Sequence, residues 1–211
     1  MQAKHELFAG STLFLLAFGC GVALTRDVPI QFNYTKTPKY STSRAGARVV
    51  AIGRFHDARS NRPAEVVGER KLFNGSVDRY RVGGGLSFSF TNIVKGYYSA
   101  RGIRHLTSNW TGQPGQIWNQ EGDIVISGRI TNLWFGSTDT AAMAQASSIF
   151  RVEFIGGSPR SGTIITKSIQ IEPKSQSNLH WETKDVEKWI NRSVAEAVER
   201  VLPDIERRLV N

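Results

Sequence analysis

Asp123-Ile124-Val125-Ile126-Ser127-Gly128-Arg129-Ile130-Thr131-Asn132-Leu133-Trp134 is the stretch on which the fold turns. From Ile124 onward it alternates with period two, the pattern of a strand that buries one face. Two further stretches read the same way: Ala142 to Ile155, carrying Ile149, Val152 and Phe154, and Gly162 to Glu172, carrying Ile164, Ile165, Ile169 and Ile171. The glycine-rich loop Gly156 to Gly162 joins these two as a hairpin. The three segments predict an antiparallel meander.

Upstream, Ile30, Phe32 and Tyr34 share one face of a first strand over Val28 to Tyr34, and Lys36 to Ala47 reads as a polar loop. Val49 to Phe55 is a continuous apolar run suited to a buried strand, broken by the turn residues His56 to Pro63. Glu65 to Phe73 holds the apolar pair Val66-Val67 before a turn at Asn74-Gly75. After Gly83-Gly84-Gly85, the positions Phe90, Ile93, Val94, Tyr97 and Tyr98 have helical spacing, predicting a helix over Ser87 to Ser99 that ends near Gly102. Asn109 to Glu121, rich in Trp, Gly and Gln, reads as a loop. Val186, Trp189, Ile190, Val194, Ala197, Val198, Val201 and Leu202 form one face of a closing helix, with Asp185 and Glu187 in its favoured first turn. A kink or fresh start is expected at Pro203. The whole predicts an α+β fold: an antiparallel or mixed sheet with about two helices packed on one face.

The 211 residues suit one domain with an appendage. A composition 40% hydrophobic and 21% charged is that of a globular chain rather than a disordered or polytopic one. The single cysteine excludes an intramolecular disulfide, a cysteine zinc cluster and a CxxC redox pair. That cysteine, Cys20, closes an uncharged stretch from Leu7 whose densest part is Leu13 to Cys20. The continuous apolar block, about 8 to 14 residues, is short of the ~20 that span a bilayer and matches a secretory h-region. Leu16-Ala17-Phe18-Gly19-Cys20 resembles a bacterial lipobox, although Ala17 and Phe18 stand where that motif carries Leu and a smaller residue. This reading divides the chain into a lipoprotein signal peptide at 1–19, a lipidated N-terminus with first strand and loop at 20–47, and a single α+β periplasmic domain at 48–211. An uncleaved N-terminal anchor and an ordinary signal peptide are the alternatives. All place the domain outside the cytoplasm. Gly21 after the cysteine, rather than Asp, fits export to the outer membrane.

Cys20 with the short strand after it, Val49-Val50-Ala51-Ile52 leading into Asp57-Ala58-Arg59, Val67-Gly68-Glu69-Arg70, and the strand Asp123 to Gly128 with its meander and closing helix together resemble the YajG-type bacterial lipoproteins. The resemblance implies an outer-membrane lipoprotein with an α/β periplasmic domain and no assigned chemistry.

Asp57 and Arg59 form the one polar motif with two readings. Either they are a binding pair for a carboxylate or phosphate, or they are a turn closed by an ion pair. His56, His105 and His180 lack metal-ligand spacing, and HExxH is absent. GxSxG is absent as well, and Gly157 to Thr163 has P-loop glycine spacing without the lysine. No catalytic set is assembled, so the chain reads as a non-enzyme with no cofactor beyond the covalent lipid on Cys20. The net charge of +9 concentrates arginines between Arg44 and Arg104, beside Tyr80, Tyr97, Tyr98 and Trp110. At an envelope address this basic, aromatic mixture suits anionic lipid or glycan rather than nucleic acid.

Two functions follow. The first is a noncatalytic outer-membrane lipoprotein, held to the membrane by its lipid, that serves an envelope protein partner in transport, secretion or a motor. The alternative is a binding module for lipopolysaccharide or peptidoglycan, using the Trp-rich loop and arginines.

Overall fold

The computed structural model describes residues 24–34, 49–172, 176–178 and 181–210. Its elements, in chain order, are β1 (Thr25–Ile30), β2 (Val49–Asp57), β3 (Val66–Lys71), β4 (Val77–Val82), α1 (Gly85–Ala100), β5 (Arg104–Ser108), a short 3-10 helix (Pro114–Asn119), β6 (Ile124–Asp139), β7 (Ala144–Gly157), β8 (Ile164–Ile171), β9 (Gln176–Asn178) and α2 (Thr183–Val210). The strands form one mixed sheet, so the fold is α+β as the pattern predicts. Cys20, the Lys36 to Ala47 loop and His180 lie outside the described residues.

The long β6–β7 hairpin is the spine. Strand β7 pairs antiparallel along β6 from Val125↔Gly157 to Asp139↔Ala144. The other edge of β6 is shared between two parallel neighbours: β2 takes its first half, from Val50↔Ile124 to Asp57↔Ile130, and β3 its second, from Gly68↔Phe135 to Lys71↔Thr138. Strand β5 extends the sheet beyond β2, while β4 and then β1 extend it beyond β3. On the far edge, β8 pairs with the last half of β7 and β9 with its first residues.

The strict alternation read from β6 breaks where the two neighbours change over. The register against β7 shifts between Ile130 and Asn132, so that Ile130 and Leu133, three residues apart, both point into the core. A second shift, between Ile52 and Phe55 of β2, acts in the same way. One extra residue in a strand reverses the facing of everything after it.

Both helices pack on one face and share a single core. Helix α1 contributes Leu86, Phe90, Ile93, Val94, Tyr97 and Tyr98, and α2 contributes the predicted stripe. Phe55, Phe90 and Phe154 meet edge-to-face or tilted at centroid distances of 4.8–6.0 Å, favourable spacings for aromatic quadrupoles. Phe135 is likewise set against Trp181 and Trp189. Gly84, at φ 72°, turns the chain from β4 into α1, a backbone shape that an L side chain resists.

Four expectations are corrected. Strands β4 and β5 do not announce themselves in the sequence: β4 alternates buried Tyr80 and Val82 with charged Arg79 and Arg81, and β5 is a half-buried edge. The Asn109 to Glu121 loop contains the 3-10 helix. The first strand stops at Ile30, although Phe32 and Tyr34 still pack on the core. Of the two outcomes expected at Pro203, the fresh start does not occur: helix α2 continues through the proline to Val210. The proline removes one N–H, yet Ile205 and Leu209 continue the buried stripe beyond it and hold the last turns to the sheet.

Burial raises the phenol of Tyr80 to about 12, and raises those of Tyr97 and Tyr98 well above the usual range too. An unfolded chain ionises its tyrosines near pH 10, so between about 10 and 12 the folded state keeps protons that the unfolded state loses. The contribution of Tyr80 is therefore full below pH ~10 and is lost as pH rises through its folded value. Urea midpoints should fall steeply across that window while phenolate absorbance of the folded protein lags behind that of the unfolded chain. Coincident tyrosine titration in both states would contradict the buried placement.

Candidate functional site

Asp57 ends β2 and Arg59 follows its turn, and the structure joins them. Arg59 Nε and Nη2 donate to the two carboxylate oxygens of Asp57, each at 2.9 Å. The remaining donors go to backbone: Nη1 to the carbonyls of Val66 at 2.7 Å and Leu133 at 3.2 Å, and Nη2 to those of Pro63 and Ala64. Asp57 is fixed in turn, its Oδ1 accepting the Arg59 N–H and its own N–H donating to Ser87 Oγ on α1. The guanidinium side chain is 2% exposed and every N–H on it is directed at a protein oxygen. The pair therefore ties β2, β3, β6 and α1 together, and it has no edge turned toward a ligand.

Other basic residues are absorbed similarly. Arg70 pairs with Asp139 and also donates to the Trp181 carbonyl, fastening β3 to the end of β6 and the approach to α2. Arg101 reaches both oxygens of Glu206 at 2.7 and 2.9 Å, linking the end of α1 to α2. Arg81 lies between Asp27 and Glu65, and Arg79 pairs with Glu69. Arg62 stacks over Trp134 at 3.8 Å from the ring centroid. The neighbouring aromatics in sequence, Tyr80, Tyr97, Tyr98 and Trp110, are buried. For Arg59, Arg62, Arg70, Arg79, Arg81 and Arg101 the interleaved pattern is thus bracing around buried aromatics, while Arg54 and Arg104 are exposed on β2 and β5 and Arg44 and Arg48 lie outside the described residues.

The outer face of the sheet carries the more open site. Segment 109–122 folds back over β2, β6 and β7, and its Trp110 and Ile117 form a small second core with Ala51, Val125 and Ile155. Trp110 is pinned by its indole N–H to the Gln113 carbonyl and by its backbone N–H to Ser108 Oγ, both at 2.9 Å. Ser108 Oγ in turn donates to Gln120 Oε1 at 2.6 Å. Trp118, eight residues on, is 61% exposed. Its ring lies against Gly162 of the β7–β8 turn, where a Cβ would come within 2.3 Å of it. Apart from that ring, on the β5 and β2 side of the segment, a groove of about 440 Å³ runs between Thr107, Ser108 and Asn109 and Asn119, Gln120 and Glu121, with Ala51 of β2 also in its wall. An exposed indole, and a groove lined by amide and hydroxyl groups, are each of the kinds of surface that sugars engage. The sequence marked this segment but did not separate Trp110, which holds the loop down, from Trp118, which the loop presents.

A second groove, of about 560 Å³, lies where residues after β1 cross α2. Sequence reading missed it. Asn191, mostly buried, accepts the Asn33 N–H and donates to the Gln31 carbonyl, so α2 side chains hold an extended segment that continues no strand.

His56 is exposed on β2, and His105 Nε2 lies 3.0 Å from Ser99 Oγ. Among the described residues no group of three His, Cys, Asp or Glu is placed to hold a metal, and no helix is long and apolar enough to cross a membrane. Gly157 to Thr163 closes the β7–β8 turn, with the Gly162 N–H donating to the Ser158 carbonyl.

No protein-family profile matches the chain, and no curated protein matches it in sequence. Solved structures do share its fold. A Xanthomonas campestris protein of the DUF330 family superposes with a TM-score of 0.51 at 5% identity, over 83% of this chain and 92% of that one. A neuraminyllactose-binding hemagglutinin homologue from Helicobacter pylori gives 0.45 at 8% identity over 84% and 98%, and lipoprotein GNA1162 from Neisseria meningitidis gives 0.33 at 8% over 72% and 96%. The first of these establishes a likeness of fold, which the others do not extend.

Replacing Arg59 by Met should cost about 3–5 kcal/mol in urea unfolding, since it strands a nearly buried carboxylate and several carbonyls. Adding Asp57→Asn should recover part of that loss by removing the uncompensated charge. A loss below about 1 kcal/mol would mean that the pair is not the tie described.

Proposed function

We propose that the chain is a noncatalytic outer-membrane lipoprotein, acylated on Cys20, whose domain faces the periplasm and serves an envelope assembly in transport, secretion or a motor. The observation that carries this reading is the junction between anchor and fold. Only Gly21 to Leu24 separate Cys20 from Thr25, the first residue of β1, so the domain begins within about 18 Å of the acyl acceptor. Two or three acyl chains anchor stably where one is marginal, and such a tether would keep the domain at the surface. The resemblance to the YajG type points the same way. The noncatalytic part of the reading is supported by the commitment of the buried charges Arg59, Arg70 and Arg101 to carboxylates that brace the fold.

A second reading, binding of peptidoglycan or lipopolysaccharide, is favoured by one segment: 109–122 presents the exposed Trp118 and, through Asn119, Gln120 and Glu121, lines a polar groove. An indole face stacks on a pyranose, and Asn and Gln side chains satisfy sugar hydroxyls.

Cys20→Ser removes the thiol that forms the thioether, so incorporation of a palmitate analogue should vanish while the described domain keeps its unfolding midpoint. Equal labelling of wild type and variant would overturn the lipoprotein reading. For the second reading, Trp118→Ala should reduce cosedimentation with purified sacculi, or capture on immobilised lipopolysaccharide, about tenfold, as loss of a stacking contact near 1.4 kcal/mol requires. Unchanged binding, or no binding by the wild type, would remove it.

A further inference from the structure

The sheet has one end at which chain entry and exposed apolar side chains coincide. Register fixes which turns meet there. Thr25 of β1 lies beside Val77 of β4, Val77 beside Lys71 of β3, and Lys71 beside Thr138 of β6, whose last residue Asp139 faces Ala144 of β7. The start of β1, the β3–β4 turn and the β6–β7 turn therefore form one continuous rim. Each presents a large apolar residue to solvent: Leu24 is 68% exposed, Phe73 is 73% and Met143 is 41%. The other exposed large apolar residues among those described, Phe88, Trp118 and Val210, lie elsewhere, in the first turn of α1, on the outer loop and at the end of α2.

None of the three side chains is needed to build its turn. The β3–β4 turn is closed by the Leu72 N–H to the Ser76 carbonyl and by the Ser76 N–H to Asn74 Oδ1, neither of which involves Phe73's ring. In the β6–β7 turn Met143 takes part only through its backbone, which meets Thr140. Leu24 likewise serves through its carbonyl, which accepts the Val77 N–H at 2.9 Å. Exposed apolar residues clustered on separate turns mark a surface that is covered by something.

We infer that this rim rests on the phospholipid surface that holds Cys20, with Phe73, Leu24 and Met143 inserted at the headgroup level. The inference rests on the anchored reading above. The occupant is argued from the chain itself. Residues 7–24 are the uncharged segment, its last residue, Leu24, lies at this rim, and a chain of four residues can carry the acyl acceptor no farther than about 14 Å from Leu24. Interfacial side chains of this kind add apolar burial to a lipid anchor, and the exposed Lys71 beside them suits anionic headgroups. The carboxylates at this end, Asp78 and Asp139, are taken up by Arg26 and Arg70. The same placement orients the rest. Strand β6 rises from the loop end to the rim through roughly 50 Å of extended chain, so the exposed Trp118, set against the β7–β8 turn at its other end, is directed away from the bilayer.

The test uses the full chain in vesicles of phosphatidylethanolamine and phosphatidylglycerol carrying radiolabelled lipid. A benzophenone-bearing phenylalanine analogue replaces Phe73, Met143, Phe88 or Trp118, one per variant. Irradiation should give lipid adducts at positions 73 and 143 several-fold above those at 88 and 118. Equal yields at all four positions, or adducts at 73 and 143 to a second copy of the chain instead of lipid, would overturn the inference. Mass analysis of residue 20 in the same samples separates the two readings. An acylated chain without rim adducts removes the rim and leaves the anchor. Rim adducts on an unacylated chain remove the anchor and leave the rim, whereas an unacylated chain without adducts removes both.

Discussion

Along one edge of β6 the partner strand changes, and the seam is filled by a guanidinium. Strand β2 accompanies β6 as far as Ile130, where the Ala58 N–H makes the last bond to the Ile130 carbonyl, and β3 arrives at Phe135. Between them the Leu133 carbonyl is met by Arg59, which also holds the incoming β3 through Val66. A buried backbone carbonyl without a donor costs roughly what a lost hydrogen bond costs. The charge required to fill the seam would itself be costly there without Asp57 two residues away. The register shift between Ile130 and Asn132 falls at the same place. Seam, shift and ion pair are one solution to the problem of bringing two parallel neighbours to a single strand.

The division of the sheet into two halves follows from that seam. One half, β5, β2, the start of β6 and the end of β7 with β8, carries the outer loop and its Trp110 core. The other, β1, β4, β3 and the end of β6 with the start of β7, ends in the apolar rim. The two helices cross behind both halves and make the core common to them, with Arg101 and Glu206 clasping one helix to the other. Several of the basic residues are these fastenings, each matched by a carboxylate, so the net charge of +9 is carried by the others. Such pairs are weak when exposed and consequential when buried, and Arg59, Arg70 and Arg101 are of the second kind.

The ends of the spine give the molecule a direction. Entry of the chain and exposed apolar turns mark one end, while a polar groove and a presented indole mark the other. Between the two ends runs a long hairpin backed by two helices, a body that holds them at a fixed separation.

The sequence by itself determined the elements whose side chains repeat with a clear period. Helices α1 and α2 and the β6–β8 meander are legible because burial of one face forces spacing of 3.6 or 2 on neighbouring residues. The Asp57–Arg59 ion pair is legible too, being local, and so is the apolar block ending in Cys20. Strands β4 and β5 are not legible. Arg79 and Arg81 satisfy their charges on Glu69, Asp27 and Glu65, across the sheet and outside any local window. Only the tertiary structure decided where alternation changes phase, which of Trp110 and Trp118 is buried, and that Arg59 serves Leu133, Arg70 serves Asp139 and Arg101 serves Glu206. Those partners lie 74, 69 and 105 residues apart in the chain. Periodicity records which face of an element is buried, but the identity of a distant partner is fixed only when packing brings two elements together.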